Sequence, residues 1–447
     1  MFKQTLFIFL LLYSFNVSIA QSGQAKKSVK KIIQLNTELE FTDLAKMFDT
    51  AKGRKINPYI LHYVWTDLRN KHGHFKGSVT KKAYTRNTTE YVIEELQFDS
   101  GFVQLKIGFN TKNNLILSYR LIKDQTREMY ELEKKYKLPT YAQKSKTVIK
   151  EAQFGNDPFI MQGELTLPIG LKRREKIPAV ILVHGSGPGD MNEQNGPQQP
   201  FKDIAYGLAT YKIAVLRYDK RTLTHGEECA KDTFFNVNKE TVDDALAAAQ
   251  YIRQQKNIDP NRVYILGHSL GGMMLPRIAL NDTALAGLIF MAAPAKSFPD
   301  KVIEQMDYLS TLYPEKKEEY AKGKEEFIRL KTKWYDSTTP AGYLPFNSPP
   351  SYWMDLDNYN QTEVAQKVMQ PMLFLQGDAD YQVTVEDFEL WKQALKNNPL
   401  ATFKVFKSLT HTMIYGVHSP PSPDDYKTVD NVHESVIQAI AQWVLKP

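Results

Sequence analysis

The sequence predicts an α/β fold: a mostly parallel central sheet with helices on both faces and a helical insert, preceded by a small α+β domain. Three observations predict it. First, from about residue 145 onward, continuous apolar runs at 179–183, 214–217, 263–266, 285–291 and 372–375 are mostly separated by helical segments at 201–211, 239–255 and 272–281. Runs without polar alternation suit strands buried on both faces, as a parallel sheet covered by helices requires. Second, Val263-Tyr264-Ile265-Leu266-Gly267-His268-Ser269-Leu270-Gly271-Gly272 reads as a strand, a G-x-S-x-G turn and a helix start. Third, residues 22–140 carry two helical stretches, 37–46 and 56–71, then three partly alternating runs at 91–98, 102–109 and 114–121 with Asp99-Ser100-Gly101 and Asn110-Thr111 as turns. Helices followed by a meander describe a small α+β unit.

At 447 residues, two domains are expected. A hydrophobic content of 42% and a charged content of 24% suit a globular chain with a real core. The net charge of +7 is spread over polar segments, with no basic stripe interleaved with aromatics, so nucleic-acid binding is not expected. Residues 1–20 read as a cleavable export signal: Lys3, an apolar run over 6–13, and Ser18-Ile19-Ala20 as the small-residue site before Gln21. Ser14, Asn16 and Ser18 interrupt the run short of a membrane span, so no stable membrane anchor is expected and the protein is read as secreted or periplasmic. Cys229 is the sole cysteine, which excludes an intramolecular disulfide.

After a charged linker at 123–141, runs at 146–152 and 159–167 read as an antiparallel pair. The catalytic unit is taken as 145–447. Between 295 and 364 the strand–helix alternation stops for two charged helical stretches, 299–312 and 315–333, and a proline- and aromatic-rich segment. A structureless loop of that length would be unusual, so a lid over the site is expected. Tyr343, Phe346, Tyr352 and Trp353 are its candidates to wall an apolar substrate pocket. His72-Gly73-His74 has too few ligands for a metal and reads as a solvated loop.

The chemistry follows from Ser269. A serine needs a base to become a nucleophile, and the base needs an orienting acid. In hydrolases of the type that this strand–turn–helix elbow resembles, the acid and then the histidine follow in chain order, each at a strand end. After the run 372–375 comes Gln376-Gly377-Asp378-Ala379-Asp380-Tyr381-Gln382-Val383. Asp380 fits the spacing G-x-x-D-x-x-V as the acid, and Asp378 suits a turn cap. His411, after the run 402–406, is the expected base. His418 lies in a Ser-Pro-Pro loop, and His433 falls in the last helical stretch, 427–445. The oxyanion needs two donors: the N–H of Leu270, after the nucleophile, and one from His184-Gly185-Ser186-Gly187-Pro188-Gly189-Asp190, with Ser186 the candidate.

These motifs, together with Val215-Leu216-Arg217-Tyr218-Asp219-Lys220-Arg221, resemble the α/β-hydrolase superfamily over about residues 145–447. The resemblance is nearest to secreted bacterial esterase-like members akin to serine aminopeptidase S33-like and dienelactone-hydrolase-like proteins. The first 140 residues resemble the small domain of unknown function that precedes some of them. The resemblance implies a serine hydrolase acting without metal or cofactor on a small-molecule ester or a short acylated or peptidic substrate. Arg217, Asp219 and Arg221 are expected to form a structural ion-pair network. Ester hydrolysis through a Ser269–His411–Asp380 triad and an acyl-enzyme is the expected function. An aminopeptidase or other amide hydrolase on the same triad, and a non-catalytic binding protein that keeps the fold, are the rival readings.

Overall fold

The computed structural model describes residues 23–53, 56–86 and 88–446. The export stretch 1–20 lies outside the described residues. The chain divides into two compact units, one ending at Glu131 and one beginning at Leu132.

The first unit holds α1 (Gly23–Thr37), α2 (Phe41–Lys46), α3 (Pro58–His72) and an antiparallel sheet in the order β1 (Phe75–Arg86), β2 (Thr89–Phe98), β3 (Gly101–Asn110), β4 (Ile116–Thr126). α4 (Arg127–Glu133) follows it. Two of these elements go beyond the sequence expectation. α1 buries Ala25, Ser28, Val29, Ile32 and Leu35, a 3-and-4 spacing set among lysines. β1 is the lysine-rich edge of the sheet and therefore shows no clean alternation. Trp65, Phe98, Val103 and Leu105 sit in the core between helices and sheet. His72 and His74 do not converge: His72 Nε2 lies 2.6 Å from Asp124 Oδ1, and His74 Nδ1 lies 3.1 Å from Asp99 Oδ2.

The second unit is built on an eight-stranded sheet. In chain order its elements are β5 (Thr147–Asn156), β6 (Phe159–Pro168), β7 (Ile177–Val183), α5 (Pro200–Ala209), β8 (Ala214–Tyr218), α6 (Arg221–Thr224), α7 (Gly226–Lys231), α8 (Asp243–Arg253), β9 (Ile258–His268), α9 (Leu270–Asn281), β10 (Gly287–Met291), α10 (Phe298–Leu312), α11 (Lys317–Lys331), α12 (Pro350–Asp357), α13 (Gln361–Ala365), β11 (Met372–Gly377), α14 (Val385–Ala394), β12 (Ala401–Phe406) and α15 (Glu434–Val444). The spatial order is β12-β11-β10-β9-β7-β8-β6-β5. The β5–β6 and β6–β8 pairs are antiparallel, and the other five pairs, β8 with β7 included, are parallel.

The unbroken apolar runs follow from coverage of both faces. Along β7, Ala179, Ile181 and Val183 enter one core with α8 and α9, and Val180 and Leu182 enter the other with α5 and α15. The insert leaves after β10 and rejoins before β11. Its ends are joined, because Gln361 Nε2 donates to Ala295 O and Lys296 O, both at 2.7 Å. A buried ion pair, Lys301 Nζ to Asp387 Oδ2 at 2.6 Å, fixes α10 to α14. Among the described residues, no helix is long and apolar enough to cross a membrane.

Candidate active site

Every residue singled out for chemistry follows the carboxyl end of a strand: Gly185 and Ser186 after β7, Ser269 after β9, Asp380 after β11 and His411 after β12. In open α/β sheets that edge is where ligands bind. Ser269 has φ 50° and ψ −119°, a backbone strain that a non-glycine residue adopts only where its surroundings enforce it. The enforcement is visible. Ser269 N donates to Met291 O at 3.0 Å, and Met273 N donates back to Ser269 O at 2.9 Å. A Cβ at Gly267 would collide with the Gly271 carbonyl, and one at Gly271 with the Val183 and His184 carbonyls. The elbow therefore accepts only glycine at both positions. Ser269 is half-buried, at the start of α9, where the Leu270 N–H has no preceding helical turn to bond.

Asp380 and His411 meet. Asp380 Oδ2 lies 2.7 Å from His411 Nδ1, with both side chains buried. The other carboxylate oxygen, Oδ1, accepts from Gln382 N at 2.8 Å and Val383 N at 3.0 Å. These backbone bonds explain the G-x-x-D-x-x-V spacing: the loop after β11 curls back so that its own amides hold the carboxylate. Asp378 is exposed and accepts from Ser408 N, which ties the β11 and β12 loops together. His418 pairs with Asp425 (2.8 Å), and His433 caps α15 from just outside it.

Facing Ser269 across the elbow is the loop after β7. The register Val183 opposite Gly267 brings it there. A Cβ at Gly185 would stand 3.2 Å from the Ser269 Cβ, so the glycine permits this approach. Gly185 N–H donates to Glu193 Oε1 at 2.7 Å, which leaves the exposed Ser186 as the next residue along with an N–H to offer.

Two groups here, a half-buried carboxylate facing a buried histidine and a buried lysine, were not legible as site residues. Glu193 Oε2 lies 2.9 Å from His268 Nδ1, a charge contact outside hydrogen-bond alignment, and His268 Nε2 donates to His411 O at 3.0 Å. Burial opposes charge on His268, but the Glu193 carboxylate outweighs it and raises the histidine pKa. Burial likewise works to raise Glu193, and His268 overcomes that and lowers it. The second group is Lys220, buried just after β8, whose Nζ donates to Gly185 O at 2.7 Å and pairs with Glu240 Oε1 at 2.6 Å. Its position after a strand was the signal available. Its neighbours make separate contacts: Arg217 with Glu164 and Asn192, Arg221 with Asp244, and Asp219 with Met191 N.

A small cavity beside His411 is lined by Tyr381, Thr410, Ser422, Asp425 and Tyr426 among others. α10 of the insert lies against this region: Tyr308 stacks on Tyr381 with ring centroids 5.6 Å apart and donates to Pro421 O at 2.6 Å. None of Tyr343, Phe346, Tyr352 and Trp353 lines that cavity. Trp353 and Tyr352 are packed into the core, Tyr352 Oη donating to Glu240 Oε2 at 2.6 Å, while Tyr343 and Phe346 are exposed.

The fold, the elbow and the strand-end residues together define an α/β hydrolase, and the comparisons agree. The model of the alpha/beta hydrolase family matches residues 180–435. Esterase EstD of Thermotoga maritima is 31% identical over 414 residues, which cover 93% of this chain and 94% of that protein. The chain belongs to the alpha/beta hydrolase family and is esterase-like within it. Among solved structures, Est1E from Butyrivibrio proteoclasticus aligns with a TM-score of 0.42 at 15% identity, covering 66% of this chain and 97% of that one. Dipeptidyl peptidase 4 of Porphyromonas gingivalis aligns with a TM-score of 0.45 at 15% identity, over 82% of this chain and 48% of that one.

Proposed function

We propose that the protein is an exported serine hydrolase that cleaves carboxylic esters. The observation that carries the reading is the buried Asp380–His411 hydrogen bond beside a serine held at positive φ. The similarity over nearly its whole length to a protein named an esterase favours ester over amide substrates. With Nδ1 bonded to Asp380, His411 has Nε2 for proton transfer. Nε2 takes the Ser269 proton as Oγ attacks the ester carbonyl, and the electron pair moves onto the carbonyl oxygen. The N–H groups of Leu270 and Ser186 receive that oxyanion. Collapse of the intermediate breaks the bond to the alcohol oxygen, which leaves with the proton from His411. Water then repeats the sequence on the acyl-enzyme, losing a proton to His411, and releases the acid and free Ser269. No step needs a metal or cofactor.

Export rests on residues 1–20. The insert is read as a lid, with exposed Tyr343 and Phe346 as the members of its aromatic set open to a substrate. A fluorophosphonate label followed by matched ester and amide panels tests the reading. The label is expected on Ser269, with esters turned over faster than the matched amides. Labelling and turnover that persist in Ser269→Ala would overturn it.

A further inference from the structure

We infer that Lys220 is a positioning residue for the oxyanion hole, aiming and polarising the Ser186 N–H through the Gly185–Ser186 peptide group. The inference deepens the proposed function, since it rests on Ser186 N–H as an oxyanion donor.

A trans peptide is planar, with its C=O and N–H pointing in opposite directions. Gly185 C=O and Ser186 N–H belong to one such unit. Lys220 Nζ, 2.7 Å from Gly185 O, therefore fixes the direction of the N–H at the far side of the plane. A cation on the carbonyl oxygen also draws charge through the amide and makes its N–H a stronger donor, an effect enlarged where water is excluded. Glu193 holds the other polar group of residue 185, its N–H. Both handles of Gly185 are thus gripped by side chains, Lys220 buried and Glu193 half-buried, directly beside Ser269.

The lysine is itself held. Glu240 Oε1 pairs with it at 2.6 Å, and Glu240 Oε2 accepts from Tyr352 Oη at 2.6 Å. Glu240 sits on a π-helical turn, 238–242, ahead of α8. Such turns are rare and often mark functional positions. The turn is bound to α12 a second time, since Arg277 Nη1 bridges Asn238 Oδ1 and Asp355 Oδ1, each at 2.9 Å. A continuous chain, Tyr352–Glu240–Lys220–Gly185, runs from the insert to the loop beside the nucleophile.

Steady-state kinetics on the full chain with a p-nitrophenyl ester, and inhibition by a boronic acid that forms a tetrahedral adduct on serine, test this. Lys220→Met combined with Glu240→Gln removes both buried charges together, which avoids stranding one of them. Removing an oxyanion donor outright costs about 10²–10³ in turnover, so misaiming one is expected to lower kcat by roughly 10- to 100-fold. KM should stay within about threefold, because the contact acts on the transition state. Boronate affinity should fall in parallel with kcat. A purely structural lysine would not couple those two readouts. Lys220→Gln combined with Glu240→Gln keeps a donor without stranding a charge, and an intermediate loss is expected; it decides the matter should the first double variant not fold. A folded variant with kcat and boronate affinity close to those of the parent overturns the inference, as does a rise in KM alone. Persistent labelling in Ser269→Ala would instead overturn the reading of the whole site.

Discussion

Two histidine–carboxylate pairs lie side by side in this molecule, with ring centroids of His268 and His411 4.6 Å apart. Both histidines are buried and both face an acid. They differ in what is left over. His268 spends Nε2 on the His411 carbonyl and turns Nδ1 to Glu193. His411 spends only Nδ1, on an Asp380 whose second oxygen is already held by two backbone amides. An acid partner alone therefore does not mark the proposed base; what sets His411 apart is that Nδ1 alone is engaged, whereas both ring nitrogens of His268 face a protein oxygen. His268 is next to the serine in sequence, and its geometry makes it a brace for the neighbour.

The largest expected effect would break this comparison most directly. Ser269→Ala or His411→Ala should each lower kcat by about 10⁶, and the double variant should lose little more, because such groups act as a unit. His268→Gln should cost at most about tenfold, as a lost orienting contact rather than a lost base. Turnover measured on the folded variants checks this; the reverse ranking would exchange the two roles.

Next in size is the acid. Asp380→Asn keeps the shape, favours the wrong imidazole tautomer and should lower kcat by about 10⁴. Asp378→Asn should leave kcat near normal and change stability by no more than about 1 kcal/mol, the worth of a cap. Rates read beside melting temperatures separate the two.

A third measurement sharpens the contrast through pH. His268 is raised above its ordinary 6.5, so its contribution to stability is full below 6.5 and fades as pH rises through the folded value. Glu193 is lowered below its ordinary 4.5, so its contribution is full above 4.5 and fades as pH falls through the folded value. Both are present together between 4.5 and 6.5. The melting-temperature gap between the parent and Glu193→Gln should be widest in that window and narrow on either side. A gap independent of pH would mean that the contact is not one of charge.

The smallest effect lies outside both pairs. Phe346→Ala should shift the ranking of acyl chain lengths by about tenfold, the worth of one or two methylenes in a pocket. Trp353→Ala should instead cost about 3–5 kcal/mol of stability, because that ring is buried. An unchanged ranking in Phe346→Ala would return the segment to scaffolding.

What the sequence made legible follows a physical pattern. The parallel sheet could be read because strands covered on both faces lose their polar alternation, as β7 and β11 do. The strand–turn–helix elbow at Ser269 could be read because its glycines are enforced by backbone contacts, Gly267 against the Gly271 carbonyl a few residues on. The Asp380 spacing was readable for the same local reason. Lys220, Glu193 and Glu240 were not, because each has a partner far along the chain, Gly185, His268 and Tyr352, and a charged residue shows nothing in sequence of being withdrawn from water. The insert's aromatics could be grouped by composition. Which of them faces solvent is set by α10, α11 and α12 packing on one another, and Phe346 and Trp353 take opposite outcomes seven positions apart.

The amide of Gln361 that joins the two ends of the insert makes residues 297–360 a loop sewn shut at its base. β10 and β11, which it connects, are adjacent and in register without it. Loop-closure cost rises by only about 0.6 kcal/mol for each doubling of length, so the sheet is nearly indifferent to how long the loop is. The stretch from α11 to Ser348 is in effect a cassette. α10 and α12 are not part of it, since Lys301 is paired with Asp387, Tyr308 is stacked on Tyr381, and Tyr352 is wired to Glu240. The cassette can therefore change in sequence and length while the Asp380–His411 pair and the Ser269 elbow keep their places.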